Sequence, residues 1–271
     1  MLRTRIASSI VLAVLATWVI FFAPDMIFGV AAIAIIGTGL YEFFTLVEKK
    51  GIFIYKYVGI ILGLLVPLAI YNEFELTKGW ELTFIVTACL FLFVLQFTRK
   101  DSSQAIVGIS TTFFGIVYVS WFFSFIIKLK FLDHGVLMVA FLILVTKMGD
   151  IGAYLVGTRF GRHYLIPRIS PKKSVEGAVG GFVFSLVSSS IGGTFLPIPF
   201  LHLLTLGCLL GILGQLGDLS ESLIKRDCQV KDSGNLVPGL GGMLDLIDSL
   251  LFTAPVFYFY ILYFAPKFLN H

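Results

Sequence analysis

Apolar residues in this chain come in long unbroken stretches parted by short polar ones, rather than in the two-residue alternation of half-buried strands. Nine stretches stand out, at residues 6–22, 26–47, 57–71, 82–97, 106–127, 135–157, 178–196, 201–216 and 249–265. A helix needs about 20 apolar residues to cross the hydrocarbon of a bilayer. The first, third, fourth and eighth stretches fall short of that, and would cross with little tilt or extend at their ends. The pattern predicts an all-α fold, a polytopic membrane helix bundle of about nine transmembrane helices.

Nine crossings put the termini on opposite sides of the membrane. With the N-terminus cytoplasmic, the inside segments hold Arg3, Arg5, Lys49, Lys50, Lys56, Arg99, Lys100, Arg159, Arg162, Arg168, Lys172, Lys173, Lys225, Arg226 and Lys231. Outside fall only Lys78, Lys128, Lys130 and Lys267, and Lys147 lies within a span. Cytoplasmic loops carry the excess of Lys and Arg in membrane proteins, so the expected topology is N-terminus cytoplasmic and C-terminus outside. The loop after span six and the stretch 217–248 after span eight then both face the cytosol. The external loops are short, carrying acids (Glu73, Glu75, Glu81) or prolines (Pro197, Pro199). The basic start and apolar run at 1–25 resemble a signal peptide, but no small-residue cleavage site precedes the next span. An uncleaved first helix is expected.

Composition agrees and removes several function classes. Of 271 residues 58% are hydrophobic and 13% charged, against about 25% charged in soluble domains. The net charge of +4 suggests little, and no nucleic-acid partner is expected. Cys89, Cys208 and Cys228 show no CxxC spacing and read as packing residues or free thiols. There are four histidines and no HExxH run, hence no zinc-hydrolase signal. No internal repeat is detectable, which weakens a transporter built from inverted halves.

The chemistry-bearing residues gather in Gly217–Asp248, GDLSESLIKRDCQVKDSGNLVPGLGGMLDLID, between the last two spans. Asp218 and Glu221 form one acid pair and Asp245 and Asp248 another, each at a spacing that shares a helix face. Carboxylate oxygens suit a hard cation such as Mg²⁺, and two such clusters would share one metal or hold two. Lys225 falls on the face of Asp218 two turns along. The run Val237-Pro-Gly-Leu-Gly-Gly242 allows a tight turn, and the helix after it offers free N–H groups to an anion. Charges beside a span are most often a solvated face, yet two acid pairs around a PGLGG turn point to metal and phosphate. Upstream, Lys147 and Asp150 are ionisable groups inside a span, which are expensive there and suggest function or a mutual pairing. Glu42 is another intramembrane acid, read as capping a packing contact. In ISPKKSVEG (169–177), Pro171 breaks any helix. Lys172 and Lys173 there either satisfy the positive-inside bias or receive a phosphate.

At these residues the chain resembles the phosphatidate cytidylyltransferase family, the CDP-diacylglycerol synthases. That family's C-terminal signature, S-x-[aliphatic]-K-R-x4-K-D, a spacer, then P-x-H-G-G-x-x-D-R-x-D, stands here as Ser222, Ile224, Lys225, Arg226, Lys231, Asp232, Pro238, Gly241, Gly242, Asp245 and Asp248. GDIGAY with Asp150, SPKKSVEG with Lys172, Lys173 and Glu176, and GDLSES with Asp218 and Glu221 match as well. Leu240 and Leu246 occupy the family's His and Arg positions, so any role of those side chains is absent or met elsewhere. The resemblance implies that CTP and phosphatidate give CDP-diacylglycerol and pyrophosphate with Mg²⁺ and a possible second cation, in the cell (inner) membrane with the site facing the cytoplasm. It implies Asp218, Glu221, Asp245 and Asp248 as metal ligands and Asp218, Lys225, Asp245 and Asp248 as catalytic. Lys172, Lys173, Ser222, Arg226, Lys231, Asp232, Gly241, Gly242 and Asp150 would bind substrate. Membrane lipids and a second copy, as a homodimer, are the implied partners.

The expected organisation is an N-terminal region of transmembrane helices, 1–134, and a C-terminal catalytic region, 135–271. A polyprenol kinase or CDP-alcohol phosphotransferase would also use membrane-face carboxylates and Mg²⁺, although the DG-x2-AR-x8-G-x3-D-x3-D run of the latter is missing. A cation transporter would place its acids near mid-membrane instead of at span ends.

Overall fold

The structure is a computed structural model that describes residues 2–72, 79–100 and 102–264, the side chains of residues 2–6 excepted. Lys78, Lys267, Glu73 and Glu75 lie outside the described residues, as do the side chains of Arg3 and Arg5. The helices are α1 (Leu2–Phe21), α2 (Asp25–Lys49), α3 (Lys56–Tyr71), α4 (Trp80–Phe97), α5 (Ala105–Gly115), α6 (Phe122–Lys130), α7 (Gly135–Phe160), α8 (Val175–Gly192), α9 (Phe200–Asp227) and α10 (Met243–Phe264). A π-helical segment, Ile116–Trp121, joins α5 to α6 without a break. Each of the nine apolar stretches is thus helical, the fifth as α5, the π segment and α6 in one run.

Seven helices are long and apolar enough to cross a membrane, and the apolar helices 7–21 and 56–71 are shorter. Seven of the nine expected spans thus have the length and apolarity of a crossing helix, and the first and third fall on the two shorter helices. Proline sets two starts: Pro24 precedes α2 and Pro199 precedes α9, each in the extended conformation that ends the foregoing segment. Ser174 caps α8 by accepting the Gly177 N–H at 3.1 Å.

One feature departs from the all-helical expectation. Tyr164–Ile166 (β1) and Ser170–Ser174 (β2) pair antiparallel, so the stretch around Pro171 is a small hairpin. From Gly217 as far as Asp227 the chain stays in α9, which keeps Asp218, Glu221 and Lys225 on one helix as their spacing predicts. The polar connection is only residues 228–242.

One hydrophobic core runs through the bundle, from Ile36, Phe43 and Phe44 of α2 to Leu250, Leu251 and Phe257 of α10. Glycines let the later helices close up, as small residues do between membrane helices. A Cβ at Gly181 of α8 would stand 2.9 Å from the Gly149 carbonyl of α7. At Gly217 it would stand 2.5 Å from the Asp248 carbonyl and 3.1 Å from the Ser249 Cα, so α9 and α10 touch backbone to backbone there. That contact positions the site.

Candidate active site

The close approach at Gly217 sets the C-terminal turns of α9 antiparallel beside the N-terminal turns of α10. Sequence pairs Asp218 with Glu221 and Asp245 with Asp248. The structure re-pairs them across the helices, because residues further out on one helix meet residues further out on the other. Glu221 and Asp245 share Lys225, which ion-pairs with the Glu221 carboxylate and reaches Asp245 Oδ1 at 2.5 Å. Asp248, 7% exposed, accepts the Ser249 N–H on Oδ1 at 2.5 Å and lies at the backbone contact with Gly217, the residue before Asp218.

The Glu221–Asp245 side is closed. Glu221 is 0% exposed, and the Lys225 ammonium on its carboxylate supplies its compensating charge. Asp245 is engaged at both oxygens. Oδ2 accepts the Ser233 N–H (3.0 Å), the Ser233 hydroxyl (2.8 Å) and the Gly242 N–H (2.8 Å), while Oδ1 holds Lys225. Accepting the Gly242 N–H makes Asp245 half of a capping box at the start of α10.

The Asp218–Asp248 side carries more negative charge than its lysines cancel. Lys173, brought in by β2, pairs with Asp218 Oδ1 at 2.7 Å. Lys147 of α7 reaches Asp150 Oδ2 (3.0 Å), Ser249 Oγ (2.9 Å) and the Leu246 carbonyl (3.0 Å). Ser249 donates to Asp150 Oδ2 at 3.1 Å. Three carboxylates and two ammonium groups therefore gather where α7, α9 and α10 meet. Among the described residues no three His, Cys, Asp or Glu side chains are gathered to hold a metal by themselves. Mg²⁺ is commonly held by one or two carboxylates with substrate phosphates completing its shell. Asp218 and Asp248 fit that role, while Asp245 and Glu221 are tied to Lys225.

The remaining expected residues scatter. Lys172, Lys231 and Asp232 are exposed, and Ser222 is half-buried on α9. Arg226 ties two loops, its Nε donating to the Ile169 carbonyl and a terminal nitrogen to that of Val230, each at 3.2 Å. Glu176 accepts the N–H groups of Arg162 (3.0 Å) and His163 (3.2 Å) and holds the hairpin's approach. Asp227 is exposed and ion-pairs with Lys50, the residue that follows α2. Cys228 is a buried free thiol, pushed up in pKa first by burial and then by Asp227.

The Gly-rich turn needs correction. Gly239 and Gly241 take positive φ (81° and 104°), as a side chain rarely would, and Val237 and Gly241 bridge to one another. The first three N–H groups at the helix start beyond it are taken, not free for a substrate anion. The Gly242 N–H is held by Asp245, and those of Met243 and Leu244 by Glu42, at 3.0 and 2.8 Å. An anion does occupy the helix N-terminus, and it belongs to the protein.

With this geometry in place, comparison with known proteins is specific. Residues 3–264 match the Cytidylyltransferase family. The chain belongs to that family. A phosphatidate cytidylyltransferase of Synechocystis is 34% identical over 88% of this chain and 89% of its own length. One of Thermotoga maritima is 34% identical over 95% of both chains. One of Bacillus subtilis is 43% identical over 55% of this chain, and the aligned part spans about half of that relative, 56% of its length.

Within this cytidylyltransferase two departures from the signature acquire neighbours. Leu246 leaves no side-chain cation on its turn of α10, and Lys147 brings one to its carbonyl. Leu240 donates its N–H to the Val237 carbonyl at 3.1 Å as part of the turn. Glu42 was legible only as a costly intramembrane acid. Ser233, 5% exposed and bonded to Asp245, gave no signal beyond its place between Asp232 and Gly234.

Proposed function

We propose that this cytidylyltransferase transfers CMP from CTP to phosphatidate, giving CDP-diacylglycerol and pyrophosphate. The observation that carries the reading is the backbone contact of Gly217 with Asp248 and Ser249, which brings the Asp218 turn of α9 against the Asp248 turn of α10, with Lys173 on Asp218 and Lys147 on Asp150 and Ser249. A phosphate oxygen of phosphatidate bonds to the α-phosphorus of CTP, and the bond from that phosphorus to the bridging oxygen breaks as pyrophosphate leaves. The nucleophile is already ionised, so no general base is required. Asp218 and Asp248 would hold Mg²⁺, which when bound supplies positive charge to the two meeting anions and to the departing pyrophosphate. Lys173, paired with Asp218 in the structure, is placed to pass to a phosphate oxygen. Lys172 is exposed beside it for the same purpose. Lys225 keeps Glu221 and Asp245 neutralised and so holds α9 against α10.

The same reading places the protein in the cell (inner) membrane, N-terminus and site on the cytoplasmic side, as the excess of Lys and Arg there supports. CTP then arrives from the cytosol and phosphatidate sideways from the bilayer, and the working unit is a homodimer. The test uses purified protein in detergent with phosphatidate, Mg²⁺ and CTP labelled with ³²P at either the α or the γ position. Label from the α position should enter lipid and label from the γ position should leave in pyrophosphate. γ-label in lipid would make the protein a kinase, and no label in lipid from either would refute the transferase reading.

A further inference from the structure

Glu42 lies on α2, 191 residues before Ser233, in a span where a carboxylate is costly unless partnered. It is 9% exposed, and its partners are main-chain amides of another helix: Met243 N–H on Oε1 at 3.0 Å and Leu244 N–H on Oε2 at 2.8 Å. Ser233 Oγ stands 3.2 Å from Oε2 but only 2.8 Å from Asp245, and its single proton serves the nearer acid. The first amides of a helix have no partner within it and carry its positive pole. A carboxylate gripping two successive amides therefore fixes both the position and the rotation of the first turn. The surroundings are cut to admit it. A Cβ at Gly242 would strike both Glu42 and Ser233, and one at Gly234 would strike Glu42. Asp245 takes the preceding amide, that of Gly242, so two carboxylates from opposite ends of the chain hold three consecutive N–H groups.

The rotation of that turn decides where Asp248 points one turn later. Taking the proposed CMP transfer as the activity, we infer that Glu42 is a positioning residue for it, holding α10 so that Asp248 faces Asp218. The N-terminal helices thereby set the geometry of acids carried near the C-terminus.

Glu42→Gln is the informative change, since its carbonyl accepts one amide while its NH₂ opposes the other. Turnover should fall by about a hundredfold, the scale of a small misplacement of reacting groups. KM for CTP should stay within about threefold, as for a lost transition-state interaction. Hydrogen exchange of the peptide covering 242–248 should quicken while the melting temperature in detergent stays near that of the parent. A folded Glu42→Gln protein with parental turnover and exchange overturns the inference, and so does a loss of turnover that merely tracks a fall in melting temperature. Should Glu42→Gln not fold, Glu42→Asp decides, keeping the charge but withdrawing it by one methylene. Parental turnover and exchange in that variant overturn the inference, and a lowered kcat at unchanged KM with faster exchange supports it. If the parent itself makes no CDP-lipid, the proposed function fails, while the exchange data still judge the grip of Glu42 on α10.

Discussion

Two acid pairs at the same spacing, on two helices in contact, are each split in this protein, one member of each going to either of two settings. Glu221 and Asp245 are closed around Lys225, with Asp245 further bound by Ser233 and Gly242. Asp218 and Asp248 flank the Gly217 contact, with Lys173 paired to Asp218 and Lys147 paired to the neighbouring Asp150. Buried charges persist when they are paired and hydrogen-bonded, and an excess of one sign draws in a counter-charge. On the proposed function the first pair fastens the site and the second serves it. Residue type and spacing do not separate the two roles, whereas the partners do.

The largest expected effect lies on the open side. Asp218→Asn and Asp248→Asn should each lower CDP-lipid formation by about a thousandfold, roughly 4 kcal/mol of barrier, with the protein still folded in detergent. Turnover within tenfold of the parent in both would erase the distinction between the pairs. On the closed side the effect should be on stability. Lys225→Met strips two buried carboxylates of their cation and should cost about 3 kcal/mol in denaturant unfolding, the range seen when one partner of a buried pair is removed. Adding Glu221→Gln should recover part of that, and a double variant no more stable than the single one would show that charge is not what Lys225 balances.

Smaller effects are expected at the edges of the site. Leu240→His restores the family's residue in a turn whose shape is set by Gly239 and Gly241, so turnover should change by less than about tenfold. A larger gain would show that a proton-transferring side chain is missing here. Asp227→Asn removes an exposed pair with Lys50, whose side chains are 64% and 35% exposed. Such pairs contribute under about 1 kcal/mol, so neither melting nor turnover should move much.

Much of this was readable in the sequence, and the limits follow from particular residues. Each apolar stretch became a helix because unbroken apolar runs leave the backbone no other way to satisfy its N–H and C=O groups in lipid. The acids, Lys225 and the PGLGG turn were likewise visible as local patterns. The re-pairing of Asp218 with Asp248 was hidden, because it depends on the backbone contact of Gly217 with Ser249, and neither residue announces that crossing. The grip of Glu42 on Met243 and Leu244 was hidden for the same reason, being a contact between distant segments with no spacing rule. The free N–H groups expected after the Gly-rich turn were a sound local inference that a carboxylate from α2 overrode.

The division between a fastening pair and a working pair is tested most directly by Mn²⁺ binding, followed by electron paramagnetic resonance on purified protein with CTP present. The parent and Glu221→Gln should bind Mn²⁺ alike, and Asp248→Asn should lose it. Binding that survives Asp248→Asn but disappears in Glu221→Gln would place the cation on the side assigned here to Lys225, and would contradict the account.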